Sequence, residues 1–422
     1  MKKLSKFKKI LILFVLLIII LYQIPASQKD FFELYKKQDY ASKSLKYFYK
    51  QQTKHIIVDG IEWKYFTDGS SEKTILFLHG MGGAYDLWWQ QIDFFKSDYK
   101  VISYSLPDEI DNLEDALTGI KAILDKENIK TFTAVGTSMG GYITQYLLKK
   151  MPERLDRVVF GNTFPPNDLL MKENKTKSLV IPYLPEIIID RFRKKSLNEK
   201  LLPAASHNDT LLSCFLRSLP FSKKQFINRF YVVVNHFTIN PAKYNYKRVP
   251  KLIIESNNDP LIPEKLRQEI KELYPEAKVY TFNKEGHFPY INVAKEYNTV
   301  LKDFFNETNE LPKIENTVNN YFTGRKTANT EQLQKVFSEQ AKLMFSDNKT
   351  LHFISVEDYL NKVEQDGAKS VNTKIIDVDL QGNMAYVKTL FDYTDKAFID
   401  YLTLLKQNDS WIIVSKTFCK IR

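Results

Sequence analysis

From Thr74 onward, short apolar runs alternate with helical stretches, and this rhythm constrains the chain more than any other feature. Thr74–Leu78, 101–104, 131–135, 158–160, 252–254 and Lys278–Phe282 are continuous runs of apolar or β-favouring residues. They are too short for buried helices. Most also lack the strict alternation of a half-exposed strand, as strands covered on both faces do. Between them, residues 87–95, 113–126, 142–149, 264–273 and 294–305 have helical character. Parallel neighbours need a crossover, so the alternation specifies an α/β fold with a doubly wound, mostly parallel sheet. Runs at 55–58 and 62–66, joined by Asp59-Gly60, read as a hairpin ahead of that sheet.

The rhythm breaks at 165–248, where helical segments are interrupted by Pro182, Pro185, Pro203 and Pro220. An insertion after the sixth strand predicts a helical lid over the sheet's C-terminal edge. The first domain then spans 55–306, and the polar stretch 307–313 reads as a linker. Beyond it, over 314–422, the order inverts: helices at 314–322, 330–338 and 356–364, then strands at 374–380, 385–393, 397–406 and 411–419. That pattern predicts a second, α+β domain.

The N-terminus suggests an address. Lys2, Lys3, Lys6, Lys8 and Lys9 precede an unbroken apolar stretch from Ile10 to Leu21. Residues 1–27 therefore read as a signal anchor, with a signal peptide cleaved near Pro25-Ala26-Ser27 as the alternative. Residues 28–54 would follow as a juxtamembrane stalk. Either way the bulk of the chain is expected outside the cytoplasm, membrane-anchored or secreted. These five lysines supply much of the formal charge of +11, and no basic stripe interleaved with aromatics follows, so nucleic acid is not an expected partner. Cys214 and Cys419 stand alone, and no His/Cys spacing suggests a metal.

Gly136-Thr-Ser138-Met-Gly140 lies between an apolar strand and a helix. A nucleophile at such a turn sits in a strained conformation that needs small neighbours, which Gly136 and Gly140 supply. A serine hydroxyl is a weak nucleophile until an imidazole takes its proton and a carboxylate holds that imidazole. Asp259 and His287 follow later strands in the order Ser, acid, His; Glu255 is a reserve acid. His79-Gly80-Met81-Gly-Gly83 follows the first long strand, so the Met81 and Met139 N–H groups are the expected oxyanion donors, with His79 organising the loop. No cofactor is called for.

With His79-Gly80, Trp88, Gly136-Thr-Ser-Met-Gly-Gly141, Pro152-Glu-Arg154, Asn257-Asn-Asp-Pro260 and Gly286-His287, residues 55–306 resemble the α/β-hydrolase superfamily. That resemblance implies a carboxylesterase- or lipase-like serine hydrolase with Ser138, Asp259 and His287 as its triad. Ser103-Tyr-Ser-Leu-Pro107-Asp108 departs from the usual pattern and, with Asn162-Thr-Phe164, is similar to a maspardin-like branch. Through Val318-Asn-Asn-Tyr321-Phe322 and Trp411-Ile-Ile-Val414 the C-terminal part resembles SnoaL-like, lumazine-binding-like cone domains. It shows no acid/base pair and is expected to dimerise or to bind a ligand or protein. The expected substrate is a small-molecule ester or similar acyl compound, and the apolar lid residues 187–189, 211–212 and 215–216 point to an apolar acyl chain. Alternatives on the same scaffold are acyl transfer, carbon–carbon bond hydrolysis, or a non-catalytic binding role at the membrane.

Overall fold

The computed structural model describes residues 6–26, 28–347 and 350–422. They form two units: residues 1–241 with 249–306, and residues 242–248 with 307–422.

In the first unit, β1 (Lys54–Val58), β2 (Ile61–Asp68), β3 (Thr74–Leu78), β4 (Lys100–Tyr104), β5 (Phe132–Thr137), β6 (Leu155–Gly161), β7 (Lys251–Ser256) and β8 (Lys278–Phe282) make one sheet. Its order is β1-β2-β4-β3-β5-β6-β7-β8, antiparallel where β2 meets β1 and β4 and parallel elsewhere. Strands β3, β5 and β7 are buried throughout, which is why they read as unbroken apolar runs.

The apolar N-terminal stretch forms α1 (Lys6–Gln23). Among the described residues no helix is long and apolar enough to cross a membrane, so the transmembrane helix expected at this end has no support here. The lysines in the first turn of α1 shorten its apolar part. Ser27, in the expected cleavage site, lies outside the described residues. The expected stalk is different in kind. Residues 28–54 form α2 (Phe31–Leu34) and α3 (Tyr40–Phe48), whose Phe31, Leu45 and Phe48 are buried in the core of this unit. Phe31 meets Phe215, and Phe48 packs on Phe66 with ring centroids 4.6 Å apart. Apolar residues spaced along a polar stretch carry the packing, and most of the polar remainder faces water.

Helices α4 (Trp89–Phe95), α5 (Leu113–Lys126) and α6 (Met139–Lys150) cover the sheet. The lid follows β6 with α7 (Leu169–Val180), α8 (Glu186–Ser196), α9 (Leu202–Ala204), α10 (Asp209–Ser218) and α11 (Lys223–Val234). Within the first unit it ends at Pro241, short of the expected 248; residues 242–248, holding α12 (Tyr244–Lys247), group with the second unit. Leu211, Leu212, Phe215 and Leu216 of α10 are buried in the core, with Phe215 against Trp89 at 4.5 Å. Their apolar character is used in packing. Helices α13 (Glu264–Leu273), α14 (Pro289–Asn292) and α15 (Ala294–Asn306) complete the unit.

The second unit packs α16 (Leu311–Thr327), α17 (Thr330–Val336) and α18 (Val356–Asp366) on a curved sheet of β9 (Phe337–Asp347), β10 (Thr350–Ser355), β11 (Asn372–Gln381), β12 (Met384–Asp392), β13 (Ala397–Gln407) and β14 (Ser410–Lys420). The sheet order is β10-β9-β14-β13-β12-β11. β11 to β14 are the expected meander, while β9 and β10 precede α18 and break the expected order of helices before strands. The linker expected at 307–313 is also part of this unit: Glu310 accepts hydrogen bonds from Trp411 Nε1 and Lys406 Nζ, both at 2.8 Å. Tyr244 and Arg248 bond to Glu315. Inside the sheet, Lys416 lies 3.0 Å from Asp400, and Tyr321 donates to the same carboxylate at 2.7 Å. These three come from α16, β13 and β14, a pairing that no local spacing in the sequence announces.

Candidate active site

The strand-to-helix turn from β5 into α6 holds Ser138 at φ 54°, ψ −119°, a conformation few non-glycine residues adopt. Such strain costs on the order of 1–3 kcal/mol and persists only where surroundings enforce it. Here they do. The Ser138 N–H donates to Gly161 O at 2.9 Å, and the Thr163 hydroxyl donates to Ser138 O at 2.7 Å. A Cβ on Gly140 would stand 2.1 Å from Leu78 O, and one on Gly136 2.2 Å from Gly140 O, so both positions admit only glycine without rearrangement.

Asp259 and His287 come together from the loops after β7 and β8. His287 Nδ1 lies 2.8 Å from Asp259 Oδ2, with both side chains buried. Burial opposes ionisation of Asp259, but the His287 imidazole and hydrogen bonds from Asn162 and the Leu261 N–H outweigh it, so the carboxyl lies below its usual range. Asn162 Nδ2 donates to Asp259 Oδ2 at 3.0 Å, and the Leu261 and Ile262 N–H groups hold Oδ1 at 2.8 and 3.2 Å. Glu255, the reserve acid, is turned elsewhere: it pairs with Lys271 at 2.9 Å and accepts from Thr281 at 3.0 Å.

The loop after β3 faces the turn, since a Cβ on Gly80 would stand 3.3 Å from Ser138 Cβ. Gly80 O accepts from the Gly83 N–H at 2.9 Å and from His79 Nδ1 at 2.7 Å. In a planar trans peptide the N–H points opposite to the C=O, so fixing Gly80 O also fixes the direction of the Met81 N–H. Met139 opens α6, where helix N–H groups have no intrahelical acceptor. His79 Nε2 accepts from the Leu106 N–H at 2.9 Å. Burial, with Arg229 nearby, pushes the His79 pKa down to about 3, so the ring is neutral at pH 7.

Two contributors were not among the expected site residues, Asn162 falling only within the Asn162-Thr-Phe164 stretch. Asn162, in the left-handed region at φ 40°, braces the acid. Arg229, on the buried face of lid helix α11 with Gln225 and Val232, is 1% exposed. Its Nη1 donates to Met81 O and Gly83 O, both at 2.8 Å, and its Nη2 to Leu106 O at 2.7 Å. The available signal was a charged residue at helical spacing among apolar lid positions. Beside this loop opens a cavity of about 260 Å³, whose lining includes Lys64, Asp108, Phe221, Ser222 and Arg229 but none of Ser138, Asp259 or His287.

Residues 73–293 match the family profile described as alpha/beta hydrolase fold. The chain belongs to this family. Residues 309–419 match the profile of a lumazine-binding-like family. The chain is 23% identical over 265 residues to a 2-hydroxy-6-oxononadienedioate/2-hydroxy-6-oxononatrienedioate hydrolase of Paraburkholderia phymatum, covering 58% of this chain and 90% of that one. It is 24% identical over 261 residues to maspardin of Danio rerio, covering 59% and 81%. A hydrolase from Pseudomonas aeruginosa superposes with a TM-score of 0.52 at 16% identity, over 61% of this chain and 99% of that one. The alpha/beta hydrolase match lies in the first unit and the lumazine-binding-like match in the second, and the alpha/beta hydrolase family is one of enzymes.

Proposed function

We propose that this protein is a serine hydrolase in which Ser138 attacks an acyl carbonyl, His287 takes and returns the proton, and Asp259 orients His287. The observation that carries the reading is the strained Ser138 turn together with a buried Asp259–His287 pair. Negative charge developing on the carbonyl oxygen is received by the Met81 and Met139 N–H groups, helped by the positive end of α6. Water then releases the acyl group from Ser138 along the same proton route. The substrate is a small ester or similar acyl compound. A second reading, carbon–carbon bond hydrolysis by the same groups, is favoured by the hydrolase of P. phymatum among the relatives.

The test is fluorophosphonate labelling of the full chain beside Ser138→Ala, with circular dichroism to show both folded. Labelling that requires Ser138 is the expected result, and a folded but unlabelled wild-type protein sinks the enzyme reading in favour of a binding role. Turnover of a panel of esters and of a 2-hydroxy-6-oxo dienoate then separates the two chemistries.

For its location, the proposal is an exported protein held at a membrane by its N-terminal segment. Phe7, Leu13, Leu17 and Ile20 of α1 are exposed, as are Leu179, Val180, Tyr183 and Phe192 of the lid. Tyr22 bonds to Tyr183 O, and the Ala26 N–H to Glu186 at 2.9 Å, which brings the end of α1 to the lid. Exposed apolar surface of this extent is the property of an interaction face. Helices α1, α7 and α8 also hold ten Lys or Arg against three acidic residues, as an anionic lipid surface would favour.

A further inference from the structure

We infer that Arg229 is a positioning residue for the oxyanion loop, so that the loop is set for catalysis only while lid helix α11 is docked. The inference rests on the serine-hydrolase reading and extends it to a residue outside the triad.

The case begins with what a buried guanidinium needs. Its five N–H groups must find acceptors, and a partly satisfied one is costly in a dry interior. Arg229 donates from its two terminal nitrogens to the main-chain oxygens of Met81, Gly83 and Leu106, while its Nε has no acceptor among the described residues. Asp108 acts on it only through space, and the Asp108 carboxylate itself accepts from the Ser222 hydroxyl at 2.6 Å. A surface-type ion pair would leave the loop alone; this side chain is bonded to the loop itself.

Those contacts define peptide planes. Gly80 O is held by the Gly83 N–H and His79, while Met81 O and Gly83 O are held by Arg229. Leu106 is gripped at both main-chain groups, its N–H by His79 and its C=O by Arg229. Histidine, loop and arginine thus form one hydrogen-bonded set. In a planar trans peptide, releasing a carbonyl also releases the N–H opposite it. Removing the guanidinium leaves two loop carbonyls without their donor. The Met81–Gly82 and Gly83–Ala84 peptides can then turn; because the Gly83 N–H also holds Gly80 O, the carbonyl opposite the Met81 N–H, that N–H loses part of its brace at one remove. Because the donor sits on α11, the loop is braced from the lid as well as by His79 at the end of β3. Burial lowers the Arg229 pKa only to about 10, so it stays charged at neutral pH and places positive charge behind the loop.

The experiment compares full-length wild type, Arg229→Lys and Arg229→Met by ester kinetics, fluorophosphonate labelling rate and amide hydrogen exchange across residues 79–84. For Arg229→Met, kcat and the labelling rate should fall roughly 100-fold, the loss expected when a reacting group is misplaced by about 1 Å. KM should stay within about twofold, since the contact acts in the transition state. Exchange should rise at 79–84 while β5 and α6 stay protected. Arg229→Lys keeps the charge but spans fewer carbonyls, so its kcat should fall between the two. If Arg229→Met does not fold, Arg229→Lys decides by the same readouts. Wild-type kcat per labelled Ser138, or unchanged exchange at 79–84, overturns the inference and leaves the hydrolase reading intact. A wild-type protein that does not label at Ser138 overturns that reading, and the positioning role falls with it whatever the exchange shows.

Discussion

His79 is confined to one tautomer because Gly80 O can only accept and the Leu106 N–H can only donate: Nδ1 carries the proton and Nε2 receives one. Protonating Nε2 would break the second bond inside the protein, and this, with burial, fits a pKa lowered to about 3. The sign follows by linkage. The unfolded chain takes up a proton near pH 6.5 and the folded one does not until about pH 3, so this stability is present above pH 6.5 and lost as pH falls toward 3. Urea unfolding between pH 7 and 4 should show wild type losing up to about 1.4 kcal/mol per pH unit more than His79→Gln. Identical acid slopes in the two proteins would contradict the buried neutral histidine. At this scale Ser138, His79 and the glycines were legible, because a tight turn limits residue type locally. Asn162 and Arg229 were not, because their partners lie 97 and more than 120 positions away.

Among the elements, the central strands of the first unit were readable since β3, β5 and β7 are buried on both faces and short. Strand β9 was not. Its middle, Glu339-Gln-Ala-Lys-Leu-Met344, favours a helix, and what makes it extended is pairing with β14 on one side and β10 on the other. The segment holding α2 and α3 misleads in the other direction: a polar stretch that reads as a stalk delivers Phe31 and Phe48 into the core. Phe31→Ala and Phe48→Ala should each destabilise the first unit by about 3–5 kcal/mol, as truncation of a buried aromatic does. Urea unfolding measures this, and a protein lacking residues 6–26 should unfold like wild type. If both alanine variants match wild type, these helices do not belong to the core.

For the whole molecule, the proposed location rests on the apolar α1 and the exposed lid residues beside its end. A reporter fused after Arg422 should be active only outside the cytoplasm, and the protein should sediment with membranes until residues 6–26 are removed. Reporter activity confined to the cytoplasm, or a protein that never sediments, would end the proposal. The domain plan was legible in outline, from the change of rhythm after residue 306. Its exact division was not, because α12 groups with the second unit through Tyr244 and Arg248 on Glu315, contacts that bridge some seventy positions.

By itself, the sequence determined the alternating architecture, the turn that strains Ser138 and the order of serine, acid and histidine, since each depends on period or on residue type within a few positions. Tertiary structure decided the rest. It chose Asp259 over Glu255 as the partner of His287, made a stalk into core, and placed a lid arginine on the loop beside Ser138. Those outcomes depend on groups far apart in the chain meeting in a dry interior, where a buried charge or carbonyl must find a partner.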